Sequence, residues 1–126
     1  MPSVQLADAE YFSLATFRKN GAAVPTPVWF AAAGDTYYVF SSPNVGKVKR
    51  IRLTSRARVA VCDIRGKLLG DWIEARARLV SDADEIRAAY VALRRKYRFK
   101  MLIGDFFAKL SGRFDRRQFI AVTLAP

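Results

Sequence analysis

Histidine is absent from this chain, and cysteine occurs once, as Cys62. Without an imidazole, the Ser-His and Cys-His nucleophile schemes and most general-base schemes near neutral pH are excluded. A single thiol forbids an intrachain disulfide, and the common zinc and iron ligand sets are missing, so no protein metal centre is expected. No run of about 18 apolar residues is present, so no membrane-spanning helix is expected. The opening MPSVQLADAE has neither a basic n-region nor an apolar h-region; no secretory signal is read, and cytoplasmic residence is the expectation. Carboxylates are scarce, eleven against 22 Lys and Arg, and the resulting +11 predicts attraction to polyanions, anionic lipids or a multiply anionic small molecule. The tightest acidic cluster, Asp82, Asp84 and Glu85, falls where a helix should begin and reads as its cap, not as an acid/base pair.

With 52% apolar residues in 126, the sequence supports one domain over 1–126 with a core that needs no staples. Ser13 to Lys19 alternates as a strand, Asn20-Gly21 signals a hairpin, and Ala23 to Ala32 is the return strand. Pro25 and Pro27 remove ladder donors, so this stretch should be an edge or a rim. Gly34-Asp35 turns the chain into Thr36 to Ser42. After Pro43, Asn44 is a candidate cap for a short helix over about Val45 to Ser55, with Val48 and Ile51 inward. Arg58 to Arg65 and Asp71 to Ser81 read as strands about a Gly66 to Gly70 turn. Ser81-Asp82 with Glu85 resembles a capping box, followed by Ile86, Tyr90, Leu93 and Tyr97 at helical spacing. A further helix carries Ile103, Phe106, Phe107 and Leu110, as core or dimer contact, and Gln118 to Leu124 is a last buried strand. Six short antiparallel strands with helical insertions describe a mainly β fold, a small barrel with little exposed edge.

The chemistry concentrates between Pro25 and Arg52, PTPVWFAAAGDTYYVFSSPNVGKVKRIR. A strand that brings Ser41 and Ser42 to a helix start bearing Lys47, Lys49, Arg50 and Arg52 is suited to phosphate. Free N–H groups and the helix dipole attract the anion, hydroxyls donate to it and the cations neutralise it. Lys47 and Arg50, three apart, share one helix face. The aromatic, Pro-containing strand nearby points to a flat ring attached to that phosphate. The plainer alternative is a solvated helix face beside a core tryptophan, Trp29. Cys62, among Val59, Val61 and Ile64, reads as structural.

The order of these signals resembles the pyridoxamine phosphate oxidase-like split-barrel family, and more narrowly its branch of deazaflavin-dependent (coenzyme F420) oxidoreductases. The segment from SLATFRKNG through CDIRG, with its tPVWF strand and GKVKRIR helix start, carries the likeness, and EARARLVSD, RRKYRFKMLIGDFFAKL and SGRFDRR extend it over nearly the whole chain. Thr54-Ser55-Arg56-Ala57 departs from an Asn-Pro-like turn at that place. The resemblance implies a six-stranded antiparallel split β-barrel and a homodimer with cofactor sites at the interface. It also implies Ser41, Ser42, Lys47 and Arg50 on the cofactor phosphate, and Pro27, Val28 and Trp29 along the ring, with Trp72 approaching from the partner subunit. The cofactor implied is F420, with FMN as the alternative, acting on a small organic substrate. Hydride exchange takes place at such a ring, so the lack of histidine is no obstacle and no catalytic acid or base is named. A basic barrel binding single-stranded nucleic acid is the reading from another class, without a recognisable RNA motif to carry it.

Overall fold

A computed structural model describes residue 6 and residues 9–41, 45–97 and 118–125 of the chain. Seven strands form one sheet: β1 (Tyr11–Phe17), β2 (Ala23–Trp29), β3 (Ala31–Ala33), β4 (Thr36–Ser41), β5 (Arg56–Cys62), β6 (Ile73–Leu79) and β7 (Gln118–Leu124). Two helices are inserted, α1 (Gly46–Leu53) and α2 (Ala83–Lys96). The strand order is β2-β1-β5-β6-β7-β4-β3, and every pairing is antiparallel.

The β1–β2 hairpin turns where Asn20-Gly21 predicts. Gly21 sits at φ +89°, and Asn20 Oδ1 accepts from the Ala22 N–H at 3.0 Å. β2 is a terminal strand, which tolerates the missing N–H groups of Pro25 and Pro27. The return strand, however, is not one element. It breaks at Phe30, giving seven strands where six are read from the pattern. The Phe30 N–H donates to Tyr97 Oη at 3.0 Å, and that hydroxyl lies 2.7 Å from both the Phe30 and Glu10 carbonyl oxygens. One phenol thus takes over the backbone groups of Phe30 that a ladder would otherwise hold. Because β2 and β3 are the two ends of the sheet yet consecutive in the chain, this corner closes the sheet on itself as a split barrel.

Alternation sorts the side chains into two layers. Phe12, Leu14, Val28, Phe30, Val39, Val59, Ile120 and Val122 fill the interior, where Phe12 and Phe30 stack at 4.1 Å. Val48 and Ile51 of α1 join this core, so α1 plugs the barrel from one end. Outside, Ala89 and Leu93 of α2 and Tyr97, its C-cap, pack on Ala31, Tyr38, Phe119 and Ala121. Asp82 caps α2 by accepting from the Glu85 N–H at 2.9 Å, but the box is not reciprocal. The Glu85 carboxylate instead takes the Tyr38 hydroxyl at 2.8 Å and both arms of Arg78 at 2.8 and 2.6 Å. This pins the helix to the sheet.

Element boundaries differ modestly from the sequence reading. β5 begins earlier, at Arg56, and ends at Cys62, because Asp63 starts a tight loop: its carboxylate accepts from the Arg65 and Lys67 N–H groups, both at 2.9 Å. The strand expected over Asp71 to Ser81 is shorter, Ile73–Leu79. Helix α1 stops at Leu53 with an extended Thr54, and its N-cap is Val45 rather than Asn44. Ser42, Asn44 and the helical stripe Ile103, Phe106, Phe107 and Leu110 lie outside the described residues.

Candidate functional site

Helix α1 begins with the positive end of its dipole and with first-turn N–H groups that have no partner inside the helix. Val45 offers no side-chain cap, and no acidic residue lies in the first turn. Cations gather there instead. Arg50, one turn into the helix, folds back over the start: an ideal Cβ on Gly46 would lie 2.6 Å from Arg50 Nη1, so only glycine leaves that path open. Arg50 Nε is fixed by donating to Thr16 Oγ1 at 2.6 Å. Lys47 stands close enough that burial, and then the charge of Arg50, lower its ammonium below the usual lysine range. Burial, and then Arg18, act in the same direction on the Arg50 guanidinium.

None of the ion pairs among the described residues involves Arg18, Lys47 or Arg50; those pairs join Glu74 to Arg56 and Arg58, and Glu85 to Arg78. Lys47 and Arg50 at the positive end of the helix, with Arg18 near enough to act on Arg50, repel one another pairwise and gain from an anion. The donors, two forked guanidinium groups, an ammonium and the first-turn N–H groups of the helix, fit a phosphate chemically. Ser41 ends β4 opposite Gln118 and is buried.

The other residues singled out from the sequence sit elsewhere. Val28 points into the core, whereas Pro27 and Trp29 face outward on β2. Trp29 stacks flat on Tyr97, with centroids 4.2 Å apart and planes 5° from parallel, and leans on Tyr11 at 6.3 Å. Strand register puts Trp29 opposite Tyr11 and Val24 opposite Thr16. The Arg50 anchor and Trp29 are therefore ~17 Å apart along β1 and on opposite faces of the sheet. Trp72, 38% exposed, belongs to a third place: it adjoins a loop whose Ile64, Leu68 and Leu69 are 68%, 42% and 61% exposed. A cleft of about 410 Å³ lies between this loop and β1, lined by Tyr11, Val61, Cys62, Ile64 and Leu69, and is large enough for a small organic group. Burial, and then Asp63, push the Cys62 thiol up, away from thiolate chemistry.

Sequence reading misses Thr16, Arg18, Gly46, Tyr11 and Tyr97. Gly46 alone carries a local signal, a glycine placed four residues before an arginine at a helix start. The others depend on long-range pairing. Among the described residues, no group of carboxylates and Cys62 is arranged to hold a metal ion, and no helix is long and apolar enough to cross a membrane.

Solved structures share this barrel. A FAD-binding protein from Mesorhizobium loti matches over 99% of this chain and 88% of its own at 16% identity, with a TM-score of 0.71. The heme storage protein of Vibrio cholerae matches over 99% and 89% at 12% identity and a TM-score of 0.71. An F420 reductase matches over 97% and 92% at 20% identity and a TM-score of 0.55. At such identities the likeness is one of fold. No curated protein matches the sequence. The family model described as pyridoxamine 5'-phosphate oxidase covers residues 4–125, almost the whole chain. This protein therefore belongs to the pyridoxamine 5'-phosphate oxidase family of split barrels.

Proposed function

We propose that the chain is an oxidoreductase that binds the deazaflavin F420 and passes hydride between that ring and a small organic substrate. The observation that carries the reading is the meeting of Lys47 and Arg50 at the start of α1, with Arg18 near enough to act on Arg50 and none of the three ion-paired among the described residues. Lys47 and Arg50, with Ser41 and Ser42, hold the cofactor phosphate. Pro27 and Trp29 lie on the other face of the sheet from the Arg50 anchor, Trp29 ~17 Å from it along β1, so with Val28 they border a ring only in a site completed by the partner subunit, Val28 through its backbone because its side chain is committed to the core. A bound ring supplies the hydride chemistry, and the protein binds, orients and excludes water. Membership in the oxidase family and the structural likeness to a FAD-binding protein and an F420 reductase support a flavin-type ligand. A haem reading is weaker, because the chain has no histidine to ligate iron.

FMN is the alternative cofactor. The +11 charge favours the more anionic deazaflavin. The exposed loop apolar side chains, Ile64, Leu68, Leu69 and Trp72, form the homodimer contact, bringing Trp72 to the partner's ring site. Equilibrium titration with F420 and with FMN, read by fluorescence quenching, tests the assignment. The wild type binds F420 more tightly, and Lys47→Ala with Arg50→Ala lowers affinity about 100- to 10,000-fold, two charge-assisted hydrogen bonds at ~1.5–3 kcal/mol each. Unchanged affinity in a folded double variant would refute the phosphate assignment.

A further inference from the structure

The outer face of β5 and β6 carries a charge pattern that the cofactor site does not use. Ala57 and Val59 of β5 and Ala75 and Ala77 of β6 turn into the core, so Arg56, Arg58, Glu74, Arg76 and Arg78 face outward. Register sets Arg58 opposite Glu74 but Arg56 opposite Arg76. Like charges directly opposite one another destabilise an antiparallel pair. Local carboxylates relieve this only in part. Glu74 is shared between Arg58 and, at 3.7 Å, Arg56, while Glu85 is occupied by Arg78. Arg76 Nη1 donates to the neutral Ser55 hydroxyl at 3.2 Å, and the Arg56 guanidinium lies over the Phe17 ring at 4.3 Å. The side chains of Arg56 and Arg58 remain 47% and 37% exposed.

We propose that this face binds single-stranded nucleic acid, its arginines taking phosphates of one strand. Alternate residues of a strand stand ~6.8 Å apart, so Arg56 and Arg58 on β5, and Arg76 and Arg78 on β6, form rows of cations at a regular repeat along the sheet. All four are arginine, whose planar fork binds phosphate through two bonds and stacks on bases, which lysine does not match. Single strands bind positively charged surfaces that track their backbone, and the +11 of the chain draws a polyanion toward this one. The surface is separate from the cofactor socket, whose Arg50 is held by Thr16 inside the barrel mouth.

Fluorescence anisotropy with a labelled oligothymidylate of about 12 nucleotides tests this across ~50 to ~200 mM salt. The full chain binds at low salt, with a log-log salt slope of about −1.4 or steeper, two or more phosphates at ~0.7 each. Arg56→Ser with Arg76→Ser weakens binding at least ~10-fold and moves the slope toward zero by about 1.4. Arg87→Ser with Arg95→Ser on α2, an equal loss of charge, stays within about threefold. Should the serine pair fail to fold, Arg56→Lys with Arg76→Lys carries the test, keeping the slope while losing affinity at least ~3-fold. Absence of binding at low salt, equal losses in the two serine pairs, or no loss in the lysine pair would overturn the proposal. So would displacement of the oligonucleotide by polyglutamate as readily as by unlabelled oligothymidylate, which would assign the face to an acidic protein.

Discussion

Replacing Tyr97 by Phe keeps the ring that stacks on Trp29 and removes only the hydroxyl, so its effect isolates the polar link at the barrel corner. That hydroxyl accepts from the Phe30 N–H at 3.0 Å and lies 2.7 Å from the carbonyl oxygens of Phe30 and Glu10. Tyr97 and Phe30 are both buried, at 4% and 0% exposure, so water cannot replace the lost partner. An orphaned buried N–H costs ~1–3 kcal/mol, and the midpoint of that range, ~2 kcal/mol, lowers Tm by roughly 8 °C for a domain of this size. Burial also holds the phenol well above its ordinary range, so the hydroxyl keeps its proton and the loss is expected to be the same from neutral to mildly alkaline pH. Urea and thermal denaturation, read by the Trp29 signal, measure it. Because the corner sets the course of Pro27 to Trp29, the variant should also bind the flavin ring more weakly while inorganic phosphate affinity is unchanged. A destabilisation under about 0.5 kcal/mol, within the range of an ordinary surface change, would refute the claim that Tyr97 makes the corner.

Two further outcomes follow from the same geometry. Glu85, held at about 2 by hydrogen bonds from Arg78 and Tyr38, is depressed below the ordinary 4.5, so its contribution is fully present above pH 4.5 and fades as pH falls toward 2. The full shift would correspond to ~3 kcal/mol, but Arg78 is 55% exposed and solvent screening reduces this to ~1 kcal/mol; acid unfolding of Glu85→Gln should lack that increment, and an unaltered pH profile would contradict the account. Gly46→Ala places a methyl on the path of Arg50 Nη1, yet the obstructed atom ends a flexible side chain and alanine favours a helix. Stability measured by urea should hold or rise while cofactor affinity falls ~10-fold, and a fall in stability with intact binding would reverse the reasoning.

Much of this barrel is legible in the chain because its local signals agree: Asn20-Gly21 for the hairpin, two prolines for a terminal strand, Asp82 for the cap of α2. The break at Phe30 is not legible, since Ala23 to Ala32 alternates without interruption and the interruption comes from a hydroxyl 67 residues away. The same holds for Glu85, which sits at a capping-box spacing but is taken by Arg78 across the fold. At the candidate site, Lys47 and Arg50 are foreseen from helical spacing, whereas Thr16 as the anchor of Arg50 requires knowing that α1 closes the barrel against β1. The pairing of Trp29 with Tyr97 likewise depends on where α2 ends.

The central claim is that the start of α1 is a socket for a phosphate. A double-mutant cycle in which the second mutation is made on the ligand tests it most directly: affinities of FMN and of riboflavin, which lacks the phosphate, for the wild type and for Lys47→Ala with Arg50→Ala. The account predicts that the wild type prefers FMN by about 100-fold or more and that the variant loses nearly all of that preference while still binding riboflavin as before. A preference for the phosphate that survives the loss of both cations would contradict it.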